Sequence, residues 1–173
     1  MGGLPPRARR TGVAGAFALA ERNTVPETFF FRNPGQLEAF ARHALPERMR
    51  ANRATRRIRI LSAGCASGDE AFSIAILLRE RAAELAGWNV ELLGADVNER
   101  ALTRAREGRF SRWALRETPP ELRERWFAQD GAELVLDPSS RGAVRFERRN
   151  LCSDAAWPPE AAYDAIFFRN VLM

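Results

Sequence analysis

The chain has 173 residues and a net charge of +5, with 46% hydrophobic and 28% charged residues. That length suits one domain with a sizeable core, and the balance excludes wholesale disorder and coiled-coil or collagen-like composition. No run approaches the ~20 apolar residues of a membrane span, so membrane insertion is not expected. All 27 basic residues are Arg, and residues 1–59 hold twelve of them against four Glu. This N-terminal cationic excess suits either a solvated surface or a face that steers an acidic partner.

Residues 1–12 have the composition of a disordered arm. Arg7 to Ala20 has a faint secretory look, ending Ala18-Leu19-Ala20, but its large apolar residues are only Val13, Phe17 and Leu19. A cytoplasmic protein is the expectation. Thr28 to Arg32 is aromatic. A helix is predicted over Gln36–Leu45, with Pro46 interrupting it. Arg48 to Arg59 is a basic, solvated run, and His43 falls on a helix surface.

Ile58–Ala63 reads as a buried strand that ends in a small-residue turn, Gly64 to Gly68. Asp69 and Glu70 open a helix predicted to reach Ala86, with Gly87 as its stop. Val90–Ala95 is the second strand and ends at Asp96. Asn98 caps a helix over Glu99–Glu107, and Gly108 stops it. A further helix is predicted over Pro119–Phe127. Leu134–Leu136 and Val144–Phe146 flank a turn and are expected to form a hairpin. Ala165–Phe168 is the last strand.

Strand, turn, helix, strand, helix is a βαβ unit, so the predicted fold is α/β with a doubly wound parallel sheet. Ligands of such sheets bind beyond the carboxyl ends of the strands. Those ends carry Gly64–Glu70, Asp96, Asn150 and Arg169–Asn170.

The turn Ser62-Ala-Gly-Cys-Ala-Ser-Gly-Asp-Glu70 allows backbone to approach a ligand closely. A dinucleotide fingerprint would seat a pyrophosphate there. Here Gly64 and Gly68 are followed at once by two acids, which repel phosphate and suit an ammonium group. That favours S-adenosylmethionine over NAD or ATP, with helix capping as the alternative for Asp69. Asp96 is placed to accept ribose hydroxyls, with capping again the alternative. Cys65 and Cys152 lie far apart and read as free thiols. With one His, they offer no metal site. Trp113, Trp126 and Trp157 read as packing residues.

Together these segments resemble the CheR-type chemotaxis receptor glutamate methyltransferases, within the class I S-adenosylmethionine-dependent enzymes. The family pattern T-x-F-F-R appears as Thr28-Phe-Phe-Phe-Arg32. The turn motif appears as Gly68-Asp-Glu-Ala-Phe-Ser-Ile-Ala75, and the strand end as Gly94-Ala-Asp-Val-Asn98. Ala101–Phe110, Phe146–Leu151 and Tyr163–Met173 match three further ordered motifs.

The resemblance implies a Rossmann-like class I methyltransferase sheet of order 3-2-1-4-5-7-6, of which this chain carries strands 1–4. It divides the chain into an N-terminal remnant (1–27), an aromatic and basic helical segment (28–57) and a partial methyltransferase domain (58–173). Thr28, Arg32, Gly64, Ser67, Gly68, Glu70, Asp96, Asn150, Leu151, Asn170 and Val171 are implied to surround S-adenosylmethionine. Arg32 is implied to orient the acceptor. Of Phe29, Phe30 and Phe31, one or two are expected in the core. The implied reaction is methyl transfer to glutamates in the cytoplasmic domain of methyl-accepting receptors, with no nucleic-acid partner. A catalytically inactive cofactor-binding or scaffold module of a signalling pathway is the alternative. The small β-subdomain with which some members grip receptors is expected to be missing. The acceptor-side wall after Asn170 is also expected to be missing, so this chain alone should bind cofactor weakly and transfer methyl poorly.

Overall fold

A computed structural model describes residues 28–151 and 162–169. The central sheet is parallel throughout. β1 (Arg57–Ala63) lies between β2 (Asn89–Asp96) and β7 (Ala165–Phe168), and β6 (Val144–Arg148) adds outside β2. In chain order of the parallel strands this is 3-2-1-4, as the resemblance implied. β1 is aliphatic and both of its neighbours are strands. Ile58, Ile60, Leu61 and Ala63 are therefore all buried, as is Ser62, while Arg57 at the start of the strand is exposed and Arg59 half-buried.

One helix follows its sequence signals at both ends and another at its start. α3 (Asp69–Glu80) follows β1 and buries Phe72, Ile74, Ala75, Ile76 and Leu78. α4 (Glu99–Glu107) follows β2. Its cap is Asn98, whose side chain accepts the Ala101 N–H, and Gly108 ends it with φ 66°.

Several expectations are corrected. Pro46 does not interrupt a helix. α1 (Pro34–Ala39) runs through a π-helical turn (Phe40–Ala44) directly into α2 (Leu45–Ala51), which has Pro46 in its first turn. A proline ring clashes with the carbonyl four residues back, and the wider turn accommodates it. The Leu45 N–H bonds the Phe40 carbonyl, five residues back. α3 ends at Glu80, six residues early. Arg81 leaves helical geometry and tight turns carry the chain to Gly87. Its three alanines among Arg81–Ala86 give an extended helix little apolar surface to bury.

The expected hairpin does not form. β5 (Glu133–Leu136) pairs antiparallel with β3 (Arg109–Ser111) and β4 (Phe127–Asp130), whereas β6 crosses to the parallel sheet. Asp137 caps a one-turn helix between them, α6 (Pro138–Arg141). The segment predicted as Pro119–Phe127 is α5 (Pro120–Trp126), which leads into β4. A small antiparallel sheet, order β3-β5-β4, thus stands where no β-subdomain was expected.

The core is aromatic where the two sheets meet. Phe30 is fully buried, with its ring edge-on to Phe110 (4.8 Å) and Phe127 (5.0 Å). Phe31 is buried as well, while Phe29 stays half-buried. Two of the three phenylalanines are therefore core. Trp126 packs partly against that core, Trp113 is exposed, and Trp157 lies outside the described residues. His43 is exposed. Within the basic run, Arg57 is paired rather than simply solvated. Its Nε donates to Glu91 across the β1–β2 ladder at 2.8 Å.

Candidate cofactor and acceptor site

The carboxyl ends of β1, β2, β6 and β7 converge on the turn Gly64–Gly68. The turn holds three residues in left-handed geometry: Gly64 (φ 71°), Ala66 (φ 47°) and Gly68 (φ 88°). Ala66 has a Cβ and is strained there. Its N–H is held by Asp96, whose Oδ2 accepts it at 2.8 Å. Asp96 Oδ1 accepts the Asn98 N–H, also at 2.8 Å. Asp96 is nearly buried and fastens both the turn and the start of α4, while Asn98 is the helix cap. Each carboxylate oxygen retains acceptor capacity beyond these bonds.

The two acids of the turn have different surroundings. Asp69 is buried and accepts from Ser67 Oγ at 2.7 Å. Burial raises its carboxyl to about 6, against the opposing effect of the Ser67 hydrogen bond. It is not the cap, because Gly68 occupies the N-cap position without a side-chain bond. Glu70 points the other way. Ser62 Oγ donates to Glu70 Oε1 at 2.7 Å, and Arg169 pairs with Glu70 Oε2. Glu70 is therefore a partly neutralised carboxylate, and Asp69 is a buried acid remote from solvent. Cys65, at the same turn, has its thiol pushed up by burial and by the nearby Asp96 and Glu70. That disfavours a reactive thiolate.

The aromatic segment is bolted over this turn. The Phe31 N–H donates to Ser73 Oγ at 2.8 Å, and Ser73 Oγ donates to the Asp69 carbonyl at 2.6 Å. Phe31 and Asn33 both have positive φ, so Arg32 sits in a contorted turn. On its far side the Arg32 carbonyl accepts from Arg169 Nη1 at 2.6 Å. Arg169 also reaches Gln36 Oε1, at 3.1 Å. One guanidinium thus ties β7, α3 and the aromatic segment together. The Arg32 side chain is half-buried beside the Phe29 ring, 5.2 Å from its centroid.

The chain after β6 joins the same site. The Arg149 N–H donates to the Asp96 carbonyl at 2.9 Å, which sets Asn150 and Leu151 beside Asp96. Leu151 packs on Leu61, Ala63, Leu93 and Ala95. Thr28 is half-buried at the start of the described chain. Asn170, Val171 and Cys152 lie outside the described residues.

The strand-end reading names Arg169 together with Asn170 but gives it no partner or role, and residue type does not single out Ser62 or Ser73. Arg169 stands next to the flagged Asn170 at a strand end, and that position was the available signal. Among the described residues no group of three or more His, Cys, Asp or Glu comes together to hold a metal. No helix among them is long and apolar enough to cross a membrane.

Comparison with known proteins agrees with this layout. The family profile described as "CheR methyltransferase, SAM binding domain" matches residues 26–173. A "Probable chemotaxis protein methyltransferase" of Rhizobium etli is 30% identical over 166 residues, covering 94% of this chain and 61% of the relative. "Chemotaxis protein methyltransferase 2" of Vibrio cholerae is 34% identical, covering 90% and 54%. A "Probable biofilm formation methyltransferase WspC" of Pseudomonas aeruginosa is 36% identical, covering 90% and 36%. The chain thus spans about half the length of the chemotaxis relatives it matches. A family match over most of the chain, on a parallel sheet of order 3-2-1-4 with acids at its strand ends, shows that the chain belongs to the CheR methyltransferase family and carries its SAM-binding domain.

Proposed function

We propose that this chain binds S-adenosylmethionine at the strand ends and serves methyl transfer to glutamate carboxylates of chemotaxis-type receptors. The observation that supports this most is the placing of Asp96, Glu70 and Arg32 around one backbone turn. The donor set fits the cofactor. Asp96 has oxygen lone pairs left for two ribose hydroxyls. Glu70 has capacity for an α-ammonium group beyond its bonds to Ser62 and Arg169. Gly64, Ser67 and Gly68 supply a turn that backbone-close ligands can approach, with Thr28, Asn150 and Leu151 at its margins. Asn170 and Val171 keep the role the family resemblance implies, beside the methyl group.

When bound, S-adenosylmethionine supplies a methyl group on a sulfonium. A glutamate, with an ordinary pKa of about 4.3, is already ionised near neutrality, so no general base is required. The protein's task is to align the acceptor oxygen with that methyl, and orientation supplies several kcal/mol of the barrier reduction. Arg32 orients the acceptor by pairing with one carboxylate edge. It does not activate it, since tight pairing would blunt the nucleophile. The small antiparallel sheet gives the receptor a further surface, in keeping with the use that some family members make of a β-subdomain.

Titration calorimetry with S-adenosylhomocysteine is expected to show saturable binding. No saturable signal at millimolar ligand would overturn the reading. With tritiated cofactor and receptor cytoplasmic fragments, transfer by this chain alone is expected to be slow, and the label that is transferred is expected to be released by mild alkali, as from a methyl ester. Alkali-stable label would assign the acceptor to nitrogen.

Asp96→Ala is expected to weaken cofactor binding more than Asp69→Ala. The first removes two ribose hydrogen bonds of about 1.5–3 kcal/mol each and frees the strained Ala66 turn. The second removes a buried group that does not face the ligand. Equal losses in two folded variants would undo the separate roles assigned to these acids.

A further inference from the structure

The face beside Arg32 carries a cation–aromatic stack that the proposed reaction does not use. Trp113 is the most exposed large apolar side chain among the described residues, at 68%. The Arg116 guanidinium lies 4.3 Å from the Trp113 ring and 3.7 Å from the Phe29 ring. Phe29 in turn carries Arg32, 5.2 Å from its centroid. The stack is anchored, because the Phe30 N–H donates to the Ala114 carbonyl at 2.9 Å. Arg116 Nη1 donates to the Trp113 carbonyl at 2.9 Å, which fixes the plane of the group further.

We propose that Arg116 docks a second carboxylate on the acceptor segment, one helical turn from the glutamate that Arg32 orients. This rests on the reading of Arg32 as the group facing the acceptor. Two rings and a carbonyl hold the guanidinium, so little side-chain freedom is lost when it binds an anion. Its charge also reaches the buried Asp69, but beyond the bond to the Trp113 carbonyl its N–H edge has no hydrogen-bond partner among the described residues. A guanidinium edge offers paired donors, the geometry a carboxylate accepts. Arg32 and Arg116 flank the same ring, and side chains one turn apart on a helix have Cβ atoms about 5–6 Å apart. The two guanidinium carbons lie 5.2 and 3.7 Å from the Phe29 centroid, so an acidic helical segment with acids one turn apart can reach both at once. The exposed Trp113 ring covers the apolar side of such a segment.

The test uses the full chain saturated with S-adenosylhomocysteine and two helical peptides. Both carry the acceptor glutamate, and they differ by Glu or Gln one turn away. Fluorescence anisotropy of labelled peptide is expected to show roughly five-fold tighter binding of the double-acid peptide. Arg116→Gln is expected to bind both peptides equally, at the level of wild type with the Gln peptide. Arg116→Lys is expected to recover at most half of the preference, because an ammonium lacks the planar fork. Trp113→Leu leaves every backbone bond of the segment in place and is expected to reduce the preference through loosened stacking, even should Arg116 variants fold poorly. Equal wild-type affinities, no binding of either peptide, or a preference that survives Arg116→Gln would overturn the proposal. So would displacement of the peptide by a single-stranded RNA at lower concentration than by the Glu peptide itself. Saturable S-adenosylhomocysteine binding with no peptide preference removes only the role of Arg116. Absent cofactor binding removes the functional reading with it.

Discussion

Gly68→Ala is expected to destabilise the chain by about 4 kcal/mol, lowering the melting temperature by roughly 8–16 °C. Two effects combine. Gly68 has φ 88°, a conformation that costs an L side chain about 1–2 kcal/mol. A Cβ there would also stand 2.9 Å from Ala105 Cβ and 3.0 Å from ring carbons of Phe72 and Phe146. Overpacking a filled core costs a further 1–3 kcal/mol. Gly131→Ala separates the two, since Gly131 has φ 60° but nothing within 4 Å of an added Cβ. It should show the backbone cost alone. Chemical denaturation of both variants measures the difference, and similar losses would mean that Ala105 and the two rings give way. Gly94 obeys the same ring: a Cβ there would lie 2.7 Å from two Phe146 carbons. Phe146 thus crowds both glycines, together with Ala105 and Phe72 at Gly68 and with Cys65 at Gly94.

Asp69→Asn is expected to make the chain more stable by about 3 kcal/mol at pH 8, with the gain vanishing near pH 4. The folded carboxyl sits at about 6, above its ordinary 3.8, because burial disfavours its charge. Stability from such a group is fully present below its unfolded value and is lost as pH rises through the folded one. The loss spans about two units, or roughly 3 kcal/mol. Asparagine keeps an acceptor for Ser67 Oγ and never ionises. The folded carboxyl's value already includes its favourable place at a helix N-terminus, so the gain equals the full shift. Melting curves of both proteins from pH 4 to pH 8 decide the matter. A pH-independent gap would show that ionisation of Asp69 plays no part.

What could be read from the chain was local. β1, β7 and α4 are set by runs of aliphatic residues and by Asn98 and Gly108, all within a few positions of the element they bound. The 3-2-1-4 order came from the family resemblance. The small sheet was missed because Arg109–Ser111 and Phe127–Asp130 find their partner in Glu133–Leu136, and short strands of that kind carry no signal of which strand they will meet. Leu134–Leu136 beside a turn reads equally well as half of a hairpin with the next strand. The π-helical turn was missed because Pro46 ordinarily ends a helix, and only the backbone shows the detour around it. In the site, Asp96 and the Gly64–Gly68 turn follow from strand-end position. The partnership of Glu70 with Arg169 spans 99 positions, and that of Phe31 with Ser73 spans 42. Neither has a local pattern. The acids therefore read from sequence as an open negative pair. In the fold one is buried and the other is matched by an arginine.

The bond from Arg169 to the Arg32 carbonyl, 137 positions away, bears on the order in which the protein is made. The aromatic segment leaves the ribosome early, while the residue that secures it comes near the end of the residues described. Until β7 has threaded in beside β1, that segment is held by contacts such as those with Ser73 and Ala114 and by the phenylalanine packing, without Arg169. A nascent chain can collapse β1, α3 and β2 by short loops, but closing a loop of this length is entropically slow and comes afterwards. The braced arrangement of the Arg32 segment is thus reserved for chains that have been synthesised at least through Arg169. Earlier products carry the turn and its acids without the brace that sets Arg32.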